Sequence, residues 1–148
     1  MFRRIAAGAA AGAAGTAALN AVTYLDMAWR GRAASTTPEE SVEVLAKQTG
    51  IQIPGQGEQR ANRITALGAL SGIATGVGIG ILAGVVGRAP GVLIGAAAMA
   101  ATDTSMARLG VSDPKTWSAA DWAADAVPHL AYGTVTAAVL RALLRDGD

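Results

Sequence analysis

The sequence predicts an all-α polytopic membrane protein, a four-helix bundle with glycine-zipper packing, and three observations carry that expectation. Gly68, Gly72, Gly76, Gly80 and Gly84 recur every four residues. They lie inside Ile64–Gly87, a stretch without one charged side chain. The composition agrees, since 51% of the 148 residues are hydrophobic and 16% charged, with a mean hydropathy of +0.35. In water each interior glycine costs a helix about 1 kcal/mol relative to alanine. In lipid the backbone must satisfy its own hydrogen bonds, and small residues at i, i+4 let a second helix approach closely. Aromatic residues make up only 4% of the chain. A core built from Ala and Gly buries little area per side chain and so depends on backbones in contact.

The chain reads as a single membrane domain, residues 1–148, with four apolar segments. The first span, 5–29, follows Phe2-Arg3-Arg4 and ends before Arg30 and Arg32. A secretory signal peptide also starts with basic residues, but this run is longer and poorer in Leu than a usual apolar core, and no clear cleavage site ends it. In the polar loop 30–63, Thr37-Pro38-Glu39-Glu40 reads as N-cap, N1 proline and N3 glutamate of a capping box, with Gly50 as a stop. That predicts a short helix from Pro38 to Thr49 whose thin apolar stripe, Val42, Leu45 and Ala46, suits the bilayer surface or other helices. The polar run Glu58–Arg63 leads helically into the second span, 64–87, which at 1.5 Å per residue is about 36 Å long and crosses the hydrocarbon. Its bulky stripe, Leu70, Ile73, Val77, Ile81 and Val85, suits lipid.

Only Gly87-Arg88-Ala89-Pro90-Gly91 connects the second span to the third, 90–107, and Pro90 suits the first turn of a new helix. So short a link forces antiparallel neighbours, and predicts that Gly80 and Gly84 meet Gly91 and Gly95 in a close hairpin. The polar loop 108–125 repeats the plan of the first: Asp113-Pro114 starts one turn, and Ser118 with Asp121 caps the last span, 126–144. The third span is interrupted by Thr102, Asp103, Thr104 and Ser105, and the fourth carries Pro128, His129 and Arg141, so both sit at the short limit for crossing.

The two halves share a pattern. Asp26-Met27-Ala28-Trp29-Arg30 precedes Thr37-Pro38, and Asp103 with Met106-Ala107-Arg108 precedes Asp113-Pro114. This places Asp26 and Asp103 near one membrane face, with Trp29, Trp117 and Trp122 as an interfacial belt. Arg30, Arg32, Lys47, Arg60, Arg63, Arg108 and Lys115 lie on that loop side, against Arg3, Arg4, Arg88, Arg141 and Arg145 on the other. So thin a margin sets no orientation. With a net charge of +1 and basic residues scattered at segment ends, nothing points to nucleic acid.

The polar constellation of greatest interest is Asp121, Asp125 and His129, four residues apart on one helical face that Tyr132, Gly133 and Thr136 extend. Aspartate four residues before histidine orients the imidazole and favours its protonated form, which serves a proton relay or ligand binding. Equally, such an acid is favoured by the helix dipole in an early turn, while the histidine bonds a neighbouring helix. Asp103 is a candidate because an ionisable residue at membrane depth marks a functional site by default; pairing with Arg108 or a loop base is its structural alternative. The same alternative applies to Asp26, one turn before Arg30. Asn20, with Thr16 on its face, reads as an interhelical hydrogen-bonding residue.

Several chemistries are excluded. Gly78-Ile79-Gly80-Ile81-Leu82-Ala83 fits a nucleotide-binding fingerprint, with Asp103 beyond it, but that fingerprint needs a strand before it and a helix after it. Here the glycines continue a helical ladder. One His and scattered Asp lack metal-ligand spacing, Cys is absent, and no Ser is flanked as a nucleophile. No catalytic residue, cofactor or metal is therefore expected, and the chain does not read as an enzyme.

Gly110-Val111-Ser112-Asp113-Pro114, then Trp117, Asp125 and His129-Leu130-Ala131-Tyr132-Gly133, resemble the closing region of small uncharacterised bacterial inner-membrane proteins of the YagU-like kind. Those proteins also carry a Pro-containing loop, a Trp, and an acid four residues before a histidine that opens a membrane helix. The likeness covers about a quarter of the chain; the glycine ladder and the first loop have no counterpart. It implies an inner-membrane location and a helical bundle, without a known reaction.

The expected role is that of a structural or accessory membrane protein, with the lipid bilayer and either a second copy or another membrane protein as partners. The alternative is a small transporter or proton-linked channel using Asp103, Asp125, His129 and Asp26.

Overall fold

The computed structural model describes residues 1–87 and 89–145; Arg88, one of the cations counted above, and residues 146–148 lie outside the described residues. Five helices follow one another: α1 (Phe2–Arg30), α2 (Thr37–Thr49), α3 (Gly57–Val86), α4 (Gly91–Leu109) and α5 (Ala119–Leu144), with one 3-10 turn at Pro114–Thr116. Among the described residues there is no strand.

Local chemistry sets most helix ends. Gly110 closes α4 at φ 70, a left-handed conformation that an L side chain rarely adopts, and its N–H donates to Ala107 O while Val111 N–H donates to Met106 O. These bonds satisfy carbonyls that a helix end otherwise leaves open. At the start of α5 the expected capping box is present: Ser118 Oγ accepts from Asp121 N–H, and Ser118 N–H donates to the Asp121 carboxylate at 2.9 Å. The box expected at Thr37 is not. α2 begins one residue early, its N-cap is Thr36, and Thr36 Oγ1 donates to Glu40 Oε1 at 2.6 Å instead of accepting a backbone N–H. The two side chains satisfy each other, and the first backbone N–H of the helix, that of Thr37, donates to Ser35 Oγ at 3.2 Å.

Three helices, α1, α3 and α5, are long and apolar enough to cross a membrane. α4 has 19 residues and does not reach that standard, because Thr102, Asp103, Thr104, Ser105 and Arg108 fall within it. Helix α1 runs antiparallel along both α3 and α5, and α4 runs antiparallel along α5. α2 lies against the first half of α3, with Pro38 over Gly68 and Glu43 bonded to Arg60 at 2.6 Å.

The expected α3–α4 hairpin does not form. Despite the short link, those two helices barely touch. Gly80 and Gly84 instead receive α1, while Gly91 and Gly95 receive α5. A Cβ on Gly80 would stand 2.5 Å from Gly8 O and 2.6 Å from Gly12 N; one on Gly84 would stand 2.5 Å from Arg4 O. A Cβ on Gly91 would stand 2.9 Å from Thr134 Cα, and one on Gly95 would collide with His129 O. The reason is complementarity: α1 offers Gly8 and Gly12, and α5 offers Gly133, so each glycine ridge finds a flat backbone that the other ridge would have to share.

The ladder is also not continuous. Gly76 meets Thr16 and Gly68 meets Pro38, but around Gly72 there is open space. From Thr65 to Thr75 every residue of α3 except Gly68 is exposed. Of the bulky stripe, Leu70 and Ile73 face outward as expected; Val77, Ile81 and Val85 are half-buried, since α1 lies across that side.

Candidate functional site

Helix α5 carries the polar residues inward from its capped start. Asp121 is consumed by the cap, bonded to Ser118, and takes no part in a deeper site. Two turns on, His129 Nδ1 lies 2.8 Å from Asp125 O and 3.3 Å from Asp125 Oδ1. A carbonyl oxygen only accepts, so Nδ1 carries the proton in this arrangement and Nε2 is the nitrogen left to accept or exchange one. Pro128 adds to the local polarity, because it has no N–H to donate back along the helix. The side chains of His129 and Asp125 are 12% and 24% exposed, and Asp125 Oδ2 is buried without a partner among the described residues.

Asp103 approaches this pair from α4, half-buried and within electrostatic reach of both Asp125 and His129. The α4–α5 glycine contact causes that approach, since Gly95 rests against the His129 carbonyl. Asp125 and His129 are thus paired, and Asp103 lies near enough to feel their charge without a hydrogen bond to either among the described residues. Asp26 is not one of the group. Its oxygens are taken by Arg30 Nε at 2.8 Å and Arg32 Nε at 2.6 Å, which makes it a clamp on the end of α1.

Below the pair sits a feature that the sequence marks only as part of a stripe. Tyr132 is 1% exposed and its hydroxyl donates to Gly76 O of α3 at 2.6 Å. Thr136, fully buried, donates to Ala11 O of α1 at 3.4 Å. Tyr132 therefore ties α5 to α3 across α1, passing over Gly15, where a Cβ would stand 2.9 Å from the tyrosine ring. Tyr132→Phe is expected to cost about 1 kcal/mol of stability, the usual worth of one interhelical hydrogen bond, read as an earlier transition on unfolding in mixed detergent micelles. An unchanged transition would mean that the bond contributes nothing.

Two shallow, open hollows lie on the loop side, of about 520 Å³ beside Glu43, Lys47, Ile53 and Arg60 and about 460 Å³ beside Ala107, Gly110, Ser112 and Lys115. Neither includes the His129 group. Among the described residues no three His, Asp or Glu side chains are placed to hold a metal ion. Trp117 and Trp122 pack edge to face at 5.1 Å, Trp117 Nε1 donates to Ser112 Oγ, and Trp29 is 90% exposed on the same side.

Fold and site together define a class: a helical protein with three helices long and apolar enough to cross a membrane, and a His–Asp pair set just inside its loop-side end. Comparison with known protein families, with curated proteins and with solved structures finds no match for this chain.

Proposed function

We propose that the protein is a small integral membrane protein of structural or accessory type, a bundle of four membrane helices that self-associates, in the inner membrane of a bacterium. The location rests on the YagU-like closing region. The observation that carries the self-association is the uncovered part of α3: between Thr65 and Thr75 the most apolar helix has a glycine, Gly72, with open space in front of it. Small-residue faces of this kind are the usual contact between membrane helices. Gly72→Leu is expected to shift the gently solubilised protein from oligomer to monomer on native mass spectrometry while leaving its helix content unchanged. A wild-type protein that is already monomeric overturns the self-association.

A second reading, a small transporter or proton-linked channel, is favoured by the His129–Asp125 pair with Asp103 within electrostatic reach of it. Under it, proteoliposomes show a pH-dependent flux that is lost in both His129→Ala and Asp103→Asn. Flux that survives both substitutions removes these residues from the mechanism, and no flux from the wild type leaves the accessory role.

A further inference from the structure

The end of the bundle away from the loops carries charge of one sign among the described residues. Arg3 and Arg4 open α1 and Arg141 and Arg145 close α5, all four exposed. Arg3 Nη2 donates to Leu143 O at 3.0 Å, so the two pairs are held side by side, Leu143 lying between Arg141 and Arg145 in the chain. Among the described residues no acidic side chain lies at this end. Asp26, Glu39, Glu40, Glu43, Glu58, Asp103, Asp113, Asp121 and Asp125 are all at the loop end, by the antiparallel run of the helices. Arg88, Asp146 and Asp148, one cation and two acids, lie outside the described residues.

Like charges gathered in this way repel unless anions are supplied from outside. The loop end shows the contrast: there Arg30 and Arg32 share Asp26, and Arg60 takes Glu43. The cations at the other end are all arginine, whose planar fork suits phosphate oxygens better than an ammonium does. Their apolar neighbours complete the fit. Phe2 is 83% and Val86 81% exposed, placing hydrocarbon-seeking groups beside the guanidinium groups, and Arg141, a turn inside the end of α5, has the stem length to reach the headgroup level.

We infer that this arginine end is a binding surface for anionic phospholipid headgroups, with Arg3, Arg4, Arg141 and Arg145 taking the phosphates and Phe2 anchored among the acyl chains. The inference rests on the membrane reading. Full-length protein purified from mixed phosphatidylglycerol–phosphatidylcholine vesicles is examined by native mass spectrometry for the lipid it retains. Expected is an enrichment of phosphatidylglycerol that falls by about threefold or more when all four arginines become glutamine, in line with the pull of an anionic surface on each basic residue. The loop-end variant Arg108→Gln/Lys115→Gln is expected to keep the enrichment. In the wild type, raising the salt to screen exposed charges should lower it as well, which covers a variant that fails to fold. Equal retention of both lipids by the wild type overturns the inference, as does an enrichment insensitive to both salt and the four substitutions. Alkaline carbonate extraction of the wild type tests membrane insertion separately: a protein that stays in the pellet yet shows no lipid preference refutes the arginine surface and spares the membrane reading.

Discussion

Gly80→Val is expected to separate α1 from α3 and to destabilise the protein by about 3 kcal/mol or more, beyond the range in which most overpacked cores adjust. The added Cβ alone would face Gly8 O at 2.5 Å and Gly12 N at 2.6 Å, and it would also collide with Gly12 Cα. These are backbone atoms on a facing helix. No rotamer change relieves the contact, so the helices must move apart along their whole shared length, and Gly76 and Gly84 lose their partners with Gly80. Gly78→Ala is the matched control. It adds the first carbon of a side chain to the same helix where nothing lies within 4 Å, and is expected to be neutral, or stabilising by up to about 1 kcal/mol through helix propensity. Unfolding in mixed micelles, followed by circular dichroism, reads both. Equal effects at the two positions would mean that the ladder does not pack on α1.

The contrast between Gly78 and Gly80 also shows how far the sequence can be read. Periodic glycines and a charge-free run are local signals, and they locate the helices: α3 continues through the polar turns from Gly57 as Glu58–Arg63 suggest, and Ser118 with Asp121 caps α5 as their spacing demands. Partner choice is not local. Gly80 and Gly84 are equally suited to Gly91 and Gly95 or to Gly8 and Gly12, and only the joint packing of all helices decides between them. The short link between α3 and α4 argues for adjacency, but it fixes only where the two helices begin to diverge. The site was legible in part for the same reason. The i, i+4 spacing of Asp125 and His129 is a property of one helix. The arrival of Asp103 depends on the α4–α5 contact, and the Tyr132 bond to Gly76 joins residues 56 apart in the chain. A signal was available for the latter, because a buried tyrosine needs an acceptor for its hydroxyl, but nothing in the sequence says which carbonyl.

Gly133→Val should break the other ridge and release α4. A Cβ on Gly133 would lie 2.8 Å from Gly95 Cα and would collide with Gly91 O and Gly95 N. The loss is expected to be confined to that side of the molecule, since α4 packs extensively on α5 and only slightly on α2 and α3. With no second helix to hold it, α4 detaches, while the α1–α3 glycine contact on the far side is untouched. Hydrogen exchange of the micelle-bound protein is the measurement. Amide protection should fall across Gly91–Leu109 and hold across the Gly8–Gly12 and Gly76–Gly84 segments. Asp103 leaves with α4, so the group around His129 is dismantled without altering any ionisable residue. If proton-linked flux is present in the wild type, it should disappear here as completely as in His129→Ala. Protection that persists in α4 would show that contacts other than Gly91, Gly95 and Gly133 hold it, and that the convergence of the three polar residues has a different cause.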